Sequence, residues 1–255
     1  MNDPHLAEEL SHALARNEIA VEYQPQVDVN TEHIVAVEAL CRWNHPEWGS
    51  VPPSRFIPAA EDHDLIDSIG NFMVDTAFEC AAAWSEQGLA VDMSINVSVL
   101  QLGDGRFFER FDSGIDFWQL DPNRLTIEIT ESQAISDFPR VVGGLDVLRV
   151  RGVGVSIDDY GTGHTSVKQL LSLPATELKL DQSLVQREGE TSVALVSSLV
   201  RFAHTRGLRI VAEGVETSEQ LERVRKLGCD RAQGYLFGRS MAGSTIEELL
   251  LAQSS

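Results

Sequence analysis

Short runs of branched apolar residues alternate along this chain with longer amphipathic stretches. Residues 19–23 and 34–40 read as strands joined through a turn near Asn30 and Thr31, close enough in sequence to pair antiparallel. A helical stretch follows from Ser54. A stronger one covers 65–87, where Leu65, Ile66, Ile69, Phe72, Met73, Ala77 and Phe78 recur at the three-and-four spacing of one buried face, with Gly88 as its stop. Further strands are predicted at 91–97, 125–129, 153–157, 177–180, 208–212 and 231–235. Helices are predicted at 106–117, 138–151, 166–171, 192–205, 217–227 and 244–252. Thr217, followed three residues later by Gln220, is a capping-box signature. No Pro/Gly/Ser-rich linker divides the chain. The pattern predicts one α/β domain over residues 1–255, a barrel of parallel strands with an irregular first hairpin.

Composition narrows this picture. The 255 residues match the roughly 250 typical of an eight-fold β/α barrel. A hydrophobic fraction of 43% supplies a core and excludes a disordered chain. No stretch approaches the ~18 uninterrupted apolar residues of a membrane helix, and the acidic N-terminus does not read as a secretory signal. Cys41, Cys80 and Cys229 are far apart and odd in number, which predicts a reducing cytoplasm and neither disulfides nor a zinc cluster.

Charge sets the first functional limit. Twenty Lys and Arg against 39 Asp and Glu leave a net charge of −19. No basic run exceeds two residues, so a long nucleic acid or an anionic membrane is not an expected partner. Most of the carboxylates read as a solvated surface.

In a β/α barrel the chemistry sits where strands end and the following loops begin. Those positions hold Glu38, Asn96, Glu128, Asp158 with Asp159, Lys179, Glu213 and Gln233. Five carboxylates converging on one barrel mouth need compensating cations. Oxygen donors with one carboxamide suit Mg²⁺ or Mn²⁺, and the Asp158–Asp159 pair suits two ions sharing one bridging carboxylate. Two such ions are the usual apparatus for attack on a phosphodiester, with Arg42 able to clamp a phosphate and Lys179 to steady the attacking oxygen. Each residue also has a structural reading: Glu128 or Asp158 as a helix cap, Glu38 as a buried partner of Arg42, Asn96 as an N-cap, Lys179 as a strand residue facing water. From the residues alone the chain reads as a metal-dependent barrel enzyme, which leaves a lyase of small carbonyl compounds open.

The segments that carry these residues form a longer pattern: Glu38-Ala39-Leu40-Cys41-Arg42, Asn96-Val97-Ser98 with Gln101, Glu128-Ile129-Thr130-Glu131, Asp158-Asp159-Tyr160-Gly161-Thr162-Gly163, Leu178-Lys179-Leu180-Asp181, Glu213-Gly214-Val215-Glu216 and Gln233-Gly234-Tyr235. In order and spacing, from about residue 5 to 242, this resembles EAL domains, bacterial phosphodiesterases of cyclic di-GMP. The resemblance implies a TIM-like (β/α)8 barrel whose first strand runs antiparallel to the rest. It also implies opening of cyclic di-GMP to linear pGpG with two Mg²⁺ or Mn²⁺ ions.

Position by position, the resemblance implies Glu38, Asn96, Glu128, Asp158, Asp159 and Glu213 as metal ligands. Lys179 stands near the attacking water, and Glu213 is a ligand or proton acceptor. Glu38, Asp159, Lys179 and Glu213 form the catalytic set. Gln24, Arg42, Asp181 and Gln233 fall at substrate positions, and Glu131 anchors the loop after Asp159. A homodimer is implied, with sensor or GGDEF domains as possible covalent neighbours in a longer protein. Three departures stand out. Tyr160 replaces a Phe, His164-Thr165 replaces Tyr-Ser, and Gly238-Arg239-Ser240 replaces Ser-Arg-Pro. The changed loop at 160–165 is the one feature favouring a receptor that binds cyclic di-GMP without cleaving it.

Overall fold

The computed structural model describes residues 4–103, 105–130, 138–160, 173–187 and 189–253, without the side chains of Thr130, Asp159, Tyr160 and Thr191. Eight strands close into a barrel: β1 (Ile19–Asp28), β2 (Ile34–His45), β4 (Asp92–Asn96), β5 (Leu125–Thr130), β6 (Gly154–Tyr160), β7 (Glu177–Leu180), β8 (Arg209–Ala212) and β9 (Arg231–Gln233). A short β3 (Gly49–Val51) folds back on the end of β2 as an antiparallel hairpin. Strands β2 and β4 to β9 run parallel in chain order, while β1 is antiparallel to both of its neighbours, β2 and β9. The expected reversal of the first strand is therefore present.

The helices are α1 (Pro4–Ala13), α2 (Pro53–Asp62), α3 (Ile66–Glu86), α4 (Val99–Leu102), α5 (Arg106–Trp118), α6 (Phe138–Arg151), α7 (Gln182–Gln186), α8 (Glu190–Thr205), α9 (Ser218–Leu227) and α10 (Gly243–Gln253). The predicted face of α3 is buried through Ile66, Ile69, Met73, Ala77 and Phe78, with Leu65 and Phe72 packed at its margin. Gly88, at φ +76°, ends that helix while donating to Ser85 O. Thr217 and Gln220 form the reciprocal capping box at the start of α9. The predicted helix at 166–171 lies outside the described residues. Helix α1, hairpin strand β3, helix α4 and helix α7 have no counterpart among the predicted elements. Helix α1 buries Leu6, Ala7, Leu10 and Ala13, a helical spacing in a segment read only for its charge.

Two-residue alternation sorts β4 to β7 into an apolar outer face and a polar inner one. Met93 and Ile95 of β4, Leu125, Ile127 and Ile129 of β5, and Val155 of β6 join the apolar core with Trp43, Phe56, Phe78 and Trp84. Leu178, Leu180, Ile210 and Ala212 do the same in a second apolar cluster. The intervening residues, among them Ser94, Glu128, Ser156, Glu177 and Lys179, are buried and polar. At the floor of the barrel Arg231 pairs with Asp92 at 2.6 Å and Arg209 with Glu177 at 2.8 Å. At its mouth the inner face carries the candidate chemistry.

Candidate active site at the barrel mouth

Lys179 is fully buried and organises the mouth. Its Nζ donates to Glu128 Oε2 at 2.7 Å and to Glu38 Oε2 at 3.1 Å. It also lies 2.8 Å from Glu213 Oε1 and 3.3 Å from Asp158 Oδ1. Four predicted carboxylates therefore meet on one ammonium. The solvent-facing reading of Lys179 is overturned: all four residues of β7 are buried, so the strand has no wet face.

Carboxamides hold Glu38 from its other sides. Asn96 Nδ2 donates to Glu38 Oε1 at 2.6 Å, and Gln233 Nε2 donates to Glu38 Oε2 at 2.6 Å. Gln233 also donates to Gln24 Oε1 at 3.0 Å and accepts from Gln26 Nε2 at 2.9 Å. Asn96 belongs to β4, and the helix cap nearby is Ser98, whose box with Gln101 starts α4.

Backbone geometry presents the last two groups. Glu213 follows β8 directly and precedes Gly214, whose φ of +65° only glycine adopts without strain. A Cβ at Gly234 would come within 2.2 Å of Val215 O, so glycine alone lets the chain after Gln233 press against that segment.

The crowding shows in protonation. Burial lifts the Glu128 carboxyl well above the ordinary range, the Glu38 charge adds to this, and Lys179 opposes it. Burial also pushes Glu213 up to about 8 against the pull of Lys179, with Asp158 and Glu38 adding to the rise. Glu38 is buried as well. The Lys179 charge and the bonds from Gln233, Asn96 and Lys179 outweigh that burial and hold its carboxyl below the ordinary value. Burial presses Lys179 down, but Asp158, Glu128, Glu213 and Glu38 together keep it charged far above its usual range.

Arg42 does not pair with Glu38. Its Nε donates to Glu22 Oε2 at 3.0 Å, its Nη1 to Cys41 O at 3.0 Å and its Nη2 to Ser240 Oγ at 2.7 Å. Asp181 caps α7 by accepting from Ser183 N at 2.9 Å. It borders a cavity of about 240 Å³ together with Gln24, Glu213, Gln233 and Tyr235. A second cavity, of about 590 Å³, is bordered by Glu38, Arg42, Asn96 and Asp158 against an apolar wall that includes Ile57, Ile69 and Met73. The Asp159 backbone lies in β6; its side chain, Glu131 and the departures at 164–165 fall outside the described residues.

Glu22 and Gln26 were missed as members of the site. Glu22 and Gln26 flank Gln24 at two-residue spacing on β1, which is the signal that could have found them.

The fold is a β/α barrel with carboxylates gathered at the ends of its parallel strands, the place where such barrels carry their chemistry, and the comparisons specify the class. The EAL domain family matches residues 7–240, and the chain belongs to that family. It is 37% identical over 240 residues to the oxygen sensor protein DosP of Escherichia coli K12, covering 93% of this chain and 30% of that protein. It is 34% identical over 230 residues to the cyclic di-GMP phosphodiesterase RocR of Pseudomonas aeruginosa, covering 89% of this chain and 59% of that protein. Both relatives are thus longer multidomain-sized chains of which this one spans a part. Among solved structures, the PaMucR phosphodiesterase in its c-di-GMP complex superposes with a TM-score of 0.88 at 37% identity, covering 95% of this chain and 99% of that one. Among the described residues no helix is long and apolar enough to cross a membrane.

Proposed function

We propose that this chain hydrolyses cyclic di-GMP to linear 5′-pGpG, using two divalent cations, Mg²⁺ or Mn²⁺, at the barrel mouth. The observation that carries the reading is the ring of Glu38, Glu128, Asp158 and Glu213 around Lys179 in a member of the EAL family. RocR is named a cyclic di-GMP phosphodiesterase, and the PaMucR phosphodiesterase was solved in complex with c-di-GMP.

The residues present fit the cations. Four carboxylates face a single ammonium, and Glu128 Oε1 is buried with no hydrogen-bond partner among the described residues. Hard oxygen donors of this kind suit Mg²⁺ or Mn²⁺. Among the described residues no three acidic, His or Cys side chains form a finished metal cage; four carboxylates close on Lys179. Glu38, Asn96, Glu128 and Asp158 would hold one ion, and Asp158 with Asp159 and Glu213 the second. When bound, such ions polarise the phosphodiester and make water a better nucleophile near neutral pH.

The chain's own residues divide the remaining work. Gln233 and Asn96 fix Glu38 by one bond to each of its oxygens, so the carboxylate cannot turn. Lys179 supplies a fixed positive charge for oxygens that gain negative charge as water attacks phosphorus. Glu213, ionised once bound cations offset its burial, would take a proton from the attacking water. The phosphorus–O3′ bond breaks, the departing 3′ oxygen takes up a proton from solvent water to leave as a hydroxyl, Glu213 returns its proton to solvent, and the new 5′-phosphate stays on linear pGpG. The two cavities flanking the ring give a two-lobed ligand a lobe on each side. A homodimer and covalently attached sensory domains belong to the same reading.

Incubation with cyclic di-GMP and Mg²⁺ or Mn²⁺, followed by chromatography, is expected to yield pGpG, and added EDTA to stop it. Binding measured by calorimetry with no product in either metal would replace the hydrolase by a receptor. Absence of any binding would remove cyclic di-GMP as the ligand.

A further inference from the structure

We propose that Ser240 is a positioning residue for substrate binding: with Glu22 it locks the guanidinium of Arg42 in one orientation at the edge of the larger cavity. This rests on the proposed role of Arg42 as a substrate contact. Three hydrogen bonds close a ring. Arg42 Nη2 donates to Ser240 Oγ at 2.7 Å, Ser240 Oγ donates to Glu22 Oε2 at 2.6 Å, and Arg42 Nε donates to the same Glu22 oxygen at 3.0 Å. A fourth bond, from Nη1 to Cys41 O at 3.0 Å, holds the far edge of the fork.

A guanidinium has five N–H donors, and these contacts occupy three of them. One N–H on each Nη is left over. The planar fork keeps those two donors in a fixed relation, suited to a pair of acceptors on an anionic ligand. An unrestrained arginine loses rotamer freedom when it binds; here the cyclic bonds have already removed that freedom. Glu22 also offsets the Arg42 charge, leaving Arg42 to act by directed hydrogen bonding more than by long-range attraction.

The role belongs to this chain's own sequence. The hydroxyl of Ser240 both accepts and donates, and it stands where the resemblance to EAL domains implies proline, which can do neither through its side chain. The chain reaches this point through a backbone pair: Met241 N donates to Tyr23 O at 3.0 Å, and Tyr23 N donates to Met241 O at 2.8 Å. That bridge sets residue 240 against β1, where Glu22 stands, and across from Arg42 on β2.

The test is steady-state hydrolysis of cyclic di-GMP by the full chain and its variants. Ser240→Ala is expected to raise KM about fivefold, the size of one net hydrogen bond, with kcat within about twofold. Ser240→Thr, which keeps the hydroxyl, is expected to retain the wild-type KM. Arg42→Lys removes the fork, so adding Ser240→Ala to it is expected to raise KM less than about twofold further. The proposal is overturned if Ser240→Ala leaves KM unchanged while Arg42→Lys raises it. It is equally overturned if Ser240→Ala raises KM as much in the Arg42→Lys background as alone. An unchanged KM for Arg42→Lys would instead overturn the reading of Arg42 as a substrate contact.

Discussion

Lys179 Nζ and Glu128 Oε2 stand 2.7 Å apart, both side chains shut off from water. Three further carboxylates share that ammonium. Replacing Lys179 by Met would leave four acidic side chains packed together without their cation. Breaking a buried pair in this way costs about 3–5 kcal/mol, which lowers the melting temperature by roughly 6–20 °C in a domain of this size. Turnover should vanish, and Mg²⁺ should raise the melting temperature of the variant more than that of the wild type. Scanning calorimetry with and without Mg²⁺ checks both; an unshifted melting point would mean that the ring is not held by Lys179.

Glu38 accepts from Asn96, Gln233 and Lys179 at once. Glu38→Ala should therefore reduce hydrolysis at least about 100-fold while the circular dichroism spectrum stays native. Product formation at the wild-type rate would show that the cation site has been assigned to the wrong residues.

Helix α3 passes α4 so closely at Gly70 that a Cβ there would fall 2.0 Å from Gln101 Nε2. Gln101 Oε1 accepts from Ser98 N at 3.3 Å, which completes the capping box two residues beyond Asn96. Gly70→Ala is expected to push the buried carboxamide out of that box, and the lost cap bonds outweigh the roughly 1 kcal/mol that alanine gains over glycine inside a helix, for a net cost of about 1 kcal/mol. It should also weaken Mg²⁺ activation, because Asn96 loses a rigid neighbour. Chemical denaturation and a Mg²⁺ titration of activity measure the two effects; a variant as stable as the wild type would contradict the close approach.

Burial raises the Cys41 thiol from 9.0 to about 12, with Arg42 opposing, and burial takes Cys229 to about 12, with Asp230 adding to the rise. Both folded values exceed the unfolded one, so the stabilisation is complete below pH 9 and fades as pH climbs toward 12. Unfolding free energy should fall between pH 9 and 11, and by less in a Cys41→Ser, Cys229→Ser double variant. Thiol reagents at pH 8 should modify the native protein slowly and the denatured chain at once. Rapid labelling of native Cys229 would refute the burial.

The mouth was legible because strand ends are few and each carried a polar residue in a run of apolar ones. Glu38, Asn96, Glu128, Asp158, Glu213 and Gln233 were found by that rule alone. What the rule could not see was partnership. Glu38 and Arg42 are four apart in one strand, which suggested a pair. Yet Arg42 reaches Glu22 across the antiparallel β1–β2 register, a relation set by folding and not by spacing. The water-facing alternative for Lys179 fails for a similar reason: alternation implies one wet face only when a sheet has one, and in a covered barrel both faces are dry. Helix α1 has correctly spaced leucines and alanines, but a single ten-residue stretch with Glu8, Glu9 and two histidines among them carries too weak a periodic signal to stand out from a charged terminus.

The reversal of β1 also decides where the chain enters the barrel. A parallel first strand would begin at the floor, across the full depth of the barrel from the chemistry. Here Ile19 pairs with Trp43 near the mouth end of β2, and Asn44 N donates to Glu18 O at 2.9 Å. Helix α1, just upstream, rests beside the same rim: Glu9 lies 3.3 Å from His45, and α1 packs against α2, whose Ile57 and Pro58 wall the larger cavity. A push or twist delivered along the polypeptide ahead of β1 would thus arrive at the doorway of the reaction, without having to cross the barrel.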